Sequence, residues 1–259
     1  MTKEMQVLEQ MKAEMAGIPG HVGFYYKNLV SGLEYGVGAE EAYSAASVIK
    51  LPLYLYLLQQ AALGKLDMSE KLTVKESDKV PVCGALTLFT GEVEADIRTL
   101  CNLMISLSDN TATNVLIEYC GIETLQKAFC EMGMEKTVLR RKLFDMRKAL
   151  EGICNTICPK EMGMLLEQLY NKECADEAAC KEAMDILLQQ QVDHKLNGKL
   201  GGIVPIAHKT GEDDNLSNDV GIVYGENPFV ICFAGHDTDV YLWEDLMRRR
   251  TYDLYMALK

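Results

Sequence analysis

Apolar positions recur at helical spacing from residue 4 to 17, and the cluster Gly17-Ile18-Pro19-Gly20 ends that pattern. The period then changes. Val22-Gly23-Phe24-Tyr25-Tyr26 and Gly32-Leu33-Glu34-Tyr35-Gly36-Val37 are β-rich runs separated by Asn28 to Ser31, which predicts a hairpin. A helix follows Ser44-Ala45-Ala46. Leu51, Leu53, Leu55, Leu57 and Leu58 make it apolar almost all round, the pattern of a helix buried at the centre of the protein. Pro52 lacks a backbone donor and is expected to bend this helix or crowd its first turns.

From about Leu63 to Asp193 the pattern is mostly helical, with breaks at Thr90-Gly91 and from Asn155 to Pro159. After Asn197-Gly198 the character changes again. Gly202 to Lys209, Asp219 to Tyr224 and Pro228 to Ala234 alternate or run apolar between turn residues and predict three strands. Val240 to Leu258 is a final helix with Trp243, Leu246 and Tyr252 among its apolar positions. Strands at both ends of a helical middle predict an α/β (α+β) fold. Residues 1–45 and 195–259 would form an antiparallel sheet flanked by helices, and residues 46–194 an inserted all-helical lobe. A site would lie in the cleft between them.

At 259 residues the chain can bury a substantial core. Its net charge of −12 argues against a nucleic-acid partner and against an anionic membrane surface, both of which attract basic patches. No run approaches the roughly 20 apolar residues of a membrane-spanning helix; Leu51 to Leu63 is too short and carries Gln59 and Gln60. Met1-Thr2-Lys3-Glu4-Met5 leads directly into an amphipathic helix with no signal-peptide pattern. The nine cysteines are an odd number without a C-x-x-C pair, which suits reduced, mostly buried thiols better than a disulfide framework. The expectation is a cytoplasmic location as the sequence stands, or a secreted or periplasmic one if a leader has been removed. The four histidines are dispersed and none stands at a ligand spacing with a cysteine, so neither a metal nor another cofactor is expected. A monomer is expected.

Three short motifs occur in one order: Ser47-Val48-Ile49-Lys50, Ser108-Asp109-Asn110 and Lys209-Thr210-Gly211. On a helix, residues three apart are neighbours, so Lys50 can reach the Ser47 proton. A serine hydroxyl needs an adjacent base to become a nucleophile. A lysine that is partly desolvated and crowded by another cation, which Lys209 could supply, can be that base. Ser108 could shuttle a proton to the leaving group, and Asn110 could hold both Lys50 and a substrate carbonyl. Lys209 and Thr210 could bind a substrate carboxylate, with Gly211 beside them. Asp109 has the position of a helix N-cap, and His208 packs or caps an edge more readily than it acts as a base.

This constellation, together with the stretch Ser108-Asp109-Asn110-Thr111-Ala112-Thr113-Asn114, resembles the class A β-lactamases and the wider superfamily of penicillin-recognising serine hydrolases. The resemblance covers nearly the whole chain. It implies a β-lactamase/transpeptidase-like fold, an acyl-enzyme on Ser47, and an oxyanion hole made by the N–H of Ser47 and that of the residue after Gly211, here Glu212. It implies a small-molecule substrate carrying a carboxylate, a β-lactam or a D-peptide or ester. An acidic side chain beside the oxyanion is unusual and could steer substrate choice.

The chain departs from that family at one loop. Class A enzymes carry an E-x-x-L-N run whose glutamate activates the water that releases the acyl group. Anchored on Met132-Gly133 and Thr137-Val138-Leu139, the matching residues are Leu143-Phe144-Asp145-Met146-Arg147, so the glutamate is missing. Asp145, or Glu151 further on, could replace it, or Asp145 could pair with Arg140, Arg141 or Arg147 to hold the loop. General-base help is worth roughly 10² to 10⁴ in rate, so the expectation is weak β-lactam turnover. The alternatives are a D-amino-acid peptidase or esterase on the same site, or a penicillin-binding module that acylates without turnover. Cys83 falls in a loop bordering the cleft and reads as an inert thiol.

Overall fold

The computed structural model describes residues 1–259. Helix α1 (Lys3–Met15) is capped by the Thr2 hydroxyl and buries Leu8, Met11 and Met15. The predicted hairpin is β1 (His21–Asn28) and β2 (Glu34–Val37), paired from Phe24 with Val37 to Lys27 with Glu34. A two-residue strand β3 (Tyr43–Ser44) leads to a 3₁₀ turn, Ala46–Ile49, that runs directly into α2 (Lys50–Ala62). Pro52 lies in the first turn of α2, where a missing backbone donor costs least.

The middle of the chain, read as helical, also holds two short ladders. Strands β4 (Lys71–Val74) and β5 (Val93–Asp96) pair with each other, bridged by a loop too long for periodicity to join them. The helices α3 (Ile97–Ser106), α4 (Asn110–Cys120), α5 (Ile122–Glu131) and the short α6 (Met146–Leu150) follow. Strand β6 (Thr156–Ile157) then returns to pair with β3. Helix α7 (Pro159–Tyr170) opens on a proline at its first position, and α8 (Glu177–Leu187) is capped by Asp176. The three predicted C-terminal strands are β7 (Ile206–Asp213), β8 (Leu216–Val223) and β9 (Phe229–His236), and α9 (Val240–Leu258) ends the chain.

The main sheet has the order β2-β1-β9-β8-β7 and is antiparallel throughout. The ends of the chain therefore meet at its centre, as β1 on β9, and β7 is an edge. Alternation along each strand divides the core. Tyr25, Val220, Ile222, Val230, Cys232 and Ala234 join the larger cluster of 43 buried residues, which contains the apolar face of α2. Phe24, Tyr26, Ile231 and Phe233 join a second cluster of 17, closed by α1 and α9. Helix α2 thus rests on the heavier core.

Gly163 of α7 shows how closely helix and sheet meet, because a Cβ there would overlap the ring of Tyr25 on β1. In an open helix, replacing glycine by alanine gains about 1 kcal/mol. Here overpacking wins: Gly163→Ala is expected to destabilise by about 1 to 3 kcal/mol, read as a lower urea midpoint at unchanged slope.

Candidate active site

Ser47 lies in the 3₁₀ turn that precedes α2 rather than in α2 itself. The turn is entered through Ala46 at φ 40°, a left-handed conformation that alanine rarely adopts. Strand β7 is laid against it. A Cβ on Gly211 would stand 3.1 Å from the carbonyl of Ala45 and 3.2 Å from the amide nitrogen of Ser47. Glycine is what lets the edge strand approach the Ser47 backbone this closely. Asn218 on β8 fixes the same segment, donating to the carbonyls of Ser44 at 2.9 Å and Ala45 at 3.2 Å while accepting from Gly235 N.

Lys50 is wholly buried, with its Nζ among oxygens: Ser47 Oγ at 2.9 Å, Ser108 O at 2.7 Å, Ser108 Oγ at 3.0 Å and Asn110 Oδ1 at 2.7 Å. Asn110 Nδ2 donates to the carbonyl of Val82, which fixes Oδ1 toward the lysine. The Ser108 carbonyl and Asn110 Oδ1 can only accept, so they take two N–H groups. A neutral amine has two such groups and one lone pair, which is then left for a serine hydroxyl. Burial first, and the Lys209 ammonium second, push Lys50 well below the ordinary lysine value. Geometry and electrostatics agree on a basic amine facing Ser47.

Ser108 adopts φ 54°, which turns its carbonyl to Lys50 while its hydroxyl lies between two amines, Lys50 Nζ at 3.0 Å and Lys209 Nζ at 3.1 Å. A hydroxyl so placed can pass a proton either way. Asp109 does more than the expected capping. One oxygen accepts from Ala112 N at the start of α4, and the other accepts from Ala85 N and Leu86 N at 2.7 and 2.9 Å. That grip holds Val82, Cys83 and Gly84 in a run of positive φ, with Gly84 so close that a Cβ would collide with the carboxylate. Cys83 lies exposed on this loop, its carbonyl 3.5 Å from Asn110 N.

Lys209 is also fully buried, donating to Ser108 Oγ and to the carbonyl of Thr210 at 2.9 Å. Burial and then the neighbouring Lys195 draw it down to about 7. Thr210 is buried on the strand beside it. Sequence reasoning missed Lys195, a third wholly buried lysine, whose Nζ donates to Gly211 O and Asn218 O and forms an ion pair with Glu212 at 3.0 Å. No spacing pointed to it; the polar pair Asn218-Asp219 inside an apolar strand was the available signal. Asp219 pairs with the buried His208 at 2.9 Å, so His208 is a packed structural partner.

The loop residues stand apart from this cluster. Asp145 caps α6 by accepting from Lys148 N, and no hydrogen bond or ion pair of its carboxylate reaches Ser47, Lys50 or Ser108. It forms no ion pair with an arginine either; Glu151 pairs with Arg147 on the surface. Leu143 occupies the loop where Asn114 of α4 holds it at both ends, Asn114 Nδ2 donating to Leu143 O at 2.9 Å and Leu143 N donating to Asn114 Oδ1 at 2.8 Å. Asn155 clips the preceding turn through Arg140 N, Arg141 N and Arg141 O. Behind Leu143 and Asn114 opens a cavity of about 570 Å³, lined also by Leu72, Val80, Tyr119 and Phe144.

Residues 6–250 match the model of the beta-lactamase enzyme family. Among solved structures, PBP-A is 27% identical over 97% of this chain and 95% of its own, with a TM-score of 0.88. A leucine-to-glutamate mutant of PBP-A, in an acyl-enzyme complex with penicillin G, is 26% identical over 98% and 96%, with a TM-score of 0.89. A beta-lactamase from Sphaerobacter thermophilus is 24% identical over 98% and 96%, with a TM-score of 0.87, a likeness of fold.

The depressed Lys209 has a thermodynamic signature. Between its folded value of about 7 and the ordinary lysine range, the unfolded chain keeps a proton that the folded chain has released. Stability therefore rises with pH across that window, and the gain is lost as pH falls toward 7. Lys209→Met is expected to flatten this slope relative to the unsubstituted protein, as read from urea unfolding at pH 7, 8 and 9.

Proposed function

We propose that this chain, which belongs to the beta-lactamase enzyme family, is a serine acyl-transfer enzyme that opens β-lactams onto Ser47 and releases the product slowly. The observation that carries this reading is the amine of Lys50, 2.9 Å from Ser47 Oγ and held there by acceptors that leave its lone pair for the serine proton. No helix is long and apolar enough to cross a membrane, and the family points to small-molecule substrates.

In this mechanism Ser47 Oγ attacks the lactam carbonyl as Lys50 Nζ takes the hydroxyl proton. The tetrahedral oxyanion is met by the backbone N–H groups of Ser47 and Glu212; losing one such donor typically costs about 2.7 to 4 kcal/mol of barrier. As the C–N bond breaks, the leaving nitrogen receives a proton from Ser108, which Lys50 or Lys209 replaces. Asn110 orients the acyl carbonyl side. The result is an ester on Ser47 and an opened ring, with every proton accounted for. Release then needs water and a base. Leu143 stands at the position of the family's glutamate, and Asp145 is engaged as a helix cap. Slow deacylation follows from that chemistry, and it equally supports the penicillin-binding reading, in which the adduct outlives the assay. An ester or D-amino-acid peptide, with a better leaving group or a smaller acyl fragment, is the other substrate class this site suits.

The test is intact mass with time after mixing with penicillin G, with ring opening followed in parallel. A Ser47-dependent adduct persisting for minutes or longer is expected, and Ser47→Ala is expected to abolish it. Absence of both adduct and ring opening would count against the reading. Leu143→Glu restores a carboxylate to the loop beside roomy surroundings and is expected to shorten the adduct lifetime by roughly 10² to 10⁴, with little change in the rate of acylation.

A further inference from the structure

Of the nine cysteines, two have their sulfur atoms in contact. Cys174 Sγ, in the turn between α7 and α8, lies 3.2 Å from Cys180 Sγ in the first turn of α8. A bonded pair stands at about 2.05 Å, so these sulfurs have to close by only about 1 Å. The residues around them hold both ends in place. Asp176 caps α8 by accepting from Ala179 N, and Cys180 N donates to the Asp176 carbonyl. From the other side Gln59 Nε2 of α2 donates to the carbonyl of Cys174 at 2.5 Å, which anchors the turn to the central helix.

The two thiols are not equally reachable. Cys174 lines a cleft of about 320 Å³ between α2, α5 and the end of α7, together with Tyr56, Gln59, Glu131, Gln168 and Glu173. Cys180 does not line it, and is 1% exposed against 8% for Cys174. A reagent entering the cleft therefore meets Cys174 first, with Cys180 behind it. The cleft also selects the reagent. Its charged residues are Glu131 and Glu173, and no basic residue lines it; Lys127 stands 3.8 Å from Glu131 on the exposed face of α5. A dicarboxylate meets like charge there, whereas a diamine is attracted.

We infer that Cys174 and Cys180 are a dithiol–disulfide couple, oxidised through this cleft by small cationic or neutral disulfides, whose bond ties the α7–α8 turn to α8. Cys174, as thiolate, attacks one sulfur of the reagent. A mixed disulfide forms, the reagent's own S–S bond breaks, and the departing half takes up the proton that Cys174 lost. Cys180 then attacks Cys174 Sγ, and the second half of the reagent leaves with the Cys180 proton. Two protein thiols become one disulfide while one small disulfide is reduced to two thiols. Burial first, and the Cys180 contact second, push Cys174 up to about 12, so few molecules hold the thiolate near neutral pH and the first step is the slow one. The second is intramolecular between groups already in contact. Neither step involves Ser47, so the couple is independent of the acyl-transfer reading.

The experiment treats the reduced full chain with cystamine at pH 8, blocks remaining thiols with iodoacetamide and maps the tryptic peptides. Lys172 and Lys181 bracket both cysteines, so the single peptide Glu173–Lys181 carries the answer. It is expected two hydrogens lighter than the reduced peptide and free of alkyl groups, and to take up two of them when dithiothreitol precedes the block. In Cys180→Ser the same peptide is expected to keep one half of cystamine on Cys174. In Cys174→Ser, Cys180 is expected to react about tenfold more slowly than Cys174 does in the unsubstituted protein. Conversion by cystamine is expected to be about fivefold faster than by the dicarboxylate dithiodiglycolate, and Glu173→Gln is expected to narrow that ratio. The oxidised protein is expected to melt about 5 °C above the reduced one, a shift absent from Cys180→Ser treated alike. The exposed Cys83 serves as the internal control. A Glu173–Lys181 peptide that keeps both thiols after Cys83 has reacted overturns the couple; faster conversion by the dicarboxylate overturns the entry route, and an unchanged Tm overturns the tie.

Discussion

Three lysines with no exposed surface, Lys50, Lys195 and Lys209, are the constraint around which the rest is arranged. Removing an ammonium from water carries an effective penalty of several kcal/mol per ion, about enough to unfold a marginal domain if left unmet. The chain meets it in two ways. It supplies oxygens, mainly backbone carbonyls of Ser108, Thr210, Gly211 and Asn218, and it lets Lys50 and Lys209 fall toward their neutral forms. The second response is also the one the proposed mechanism uses, since a neutral amine is a base. Burial that would be a defect elsewhere thus supplies the base of the proposed mechanism.

That arrangement explains local strain that would otherwise be gratuitous. Ser108 is left-handed because its carbonyl must face Lys50 while its hydroxyl remains between the two amines. Val82 and Cys83 are left-handed because Asp109 and Asn110 bind the loop's amides and carbonyl. Each non-glycine residue in such a region costs of order 1 to 3 kcal/mol and persists only where its surroundings over-determine it. Here the surroundings are the large cluster under α2 and an antiparallel sheet whose edge strand fits against Ser47 only because Gly211 has no side chain.

Much of this was legible in the amino-acid sequence, and the reasons differ by element. The final helix, the three C-terminal strands and the N-terminal hairpin carry strong periodicity over several residues, so pattern alone found them. The β4 and β5 ladder was missed because four-residue strands separated by a long loop carry no period of their own. The three motifs singled out Ser47, Lys50, Ser108, Asn110 and Lys209, which the fold brings together, because the proposed chemistry depends on fixed local spacing. Lys195 escaped because its role depends on a contact across the fold, with Gly211 and Asn218. Asp145 was a candidate base only by proximity in sequence; as the N-cap of α6 its carboxylate is held by the turn it begins.

The site therefore divides into a part that is over-determined and a part that is not. Lys50 contacts oxygens from two motifs, and disturbing any one leaves a buried polar group unmatched, so this cluster has little freedom to vary. The loop with Leu143 is fixed differently, through its backbone, by Asn114 and Asn155. Backbone anchoring preserves the path of a loop whatever side chain it carries. The loop can carry a glutamate or a leucine there without unfolding, and in the proposed mechanism Glu212 acts through its main chain alone. In the proposed mechanism, formation of the acyl bond is thus constrained by burial, while its lifetime is left to side chains that the fold does not require.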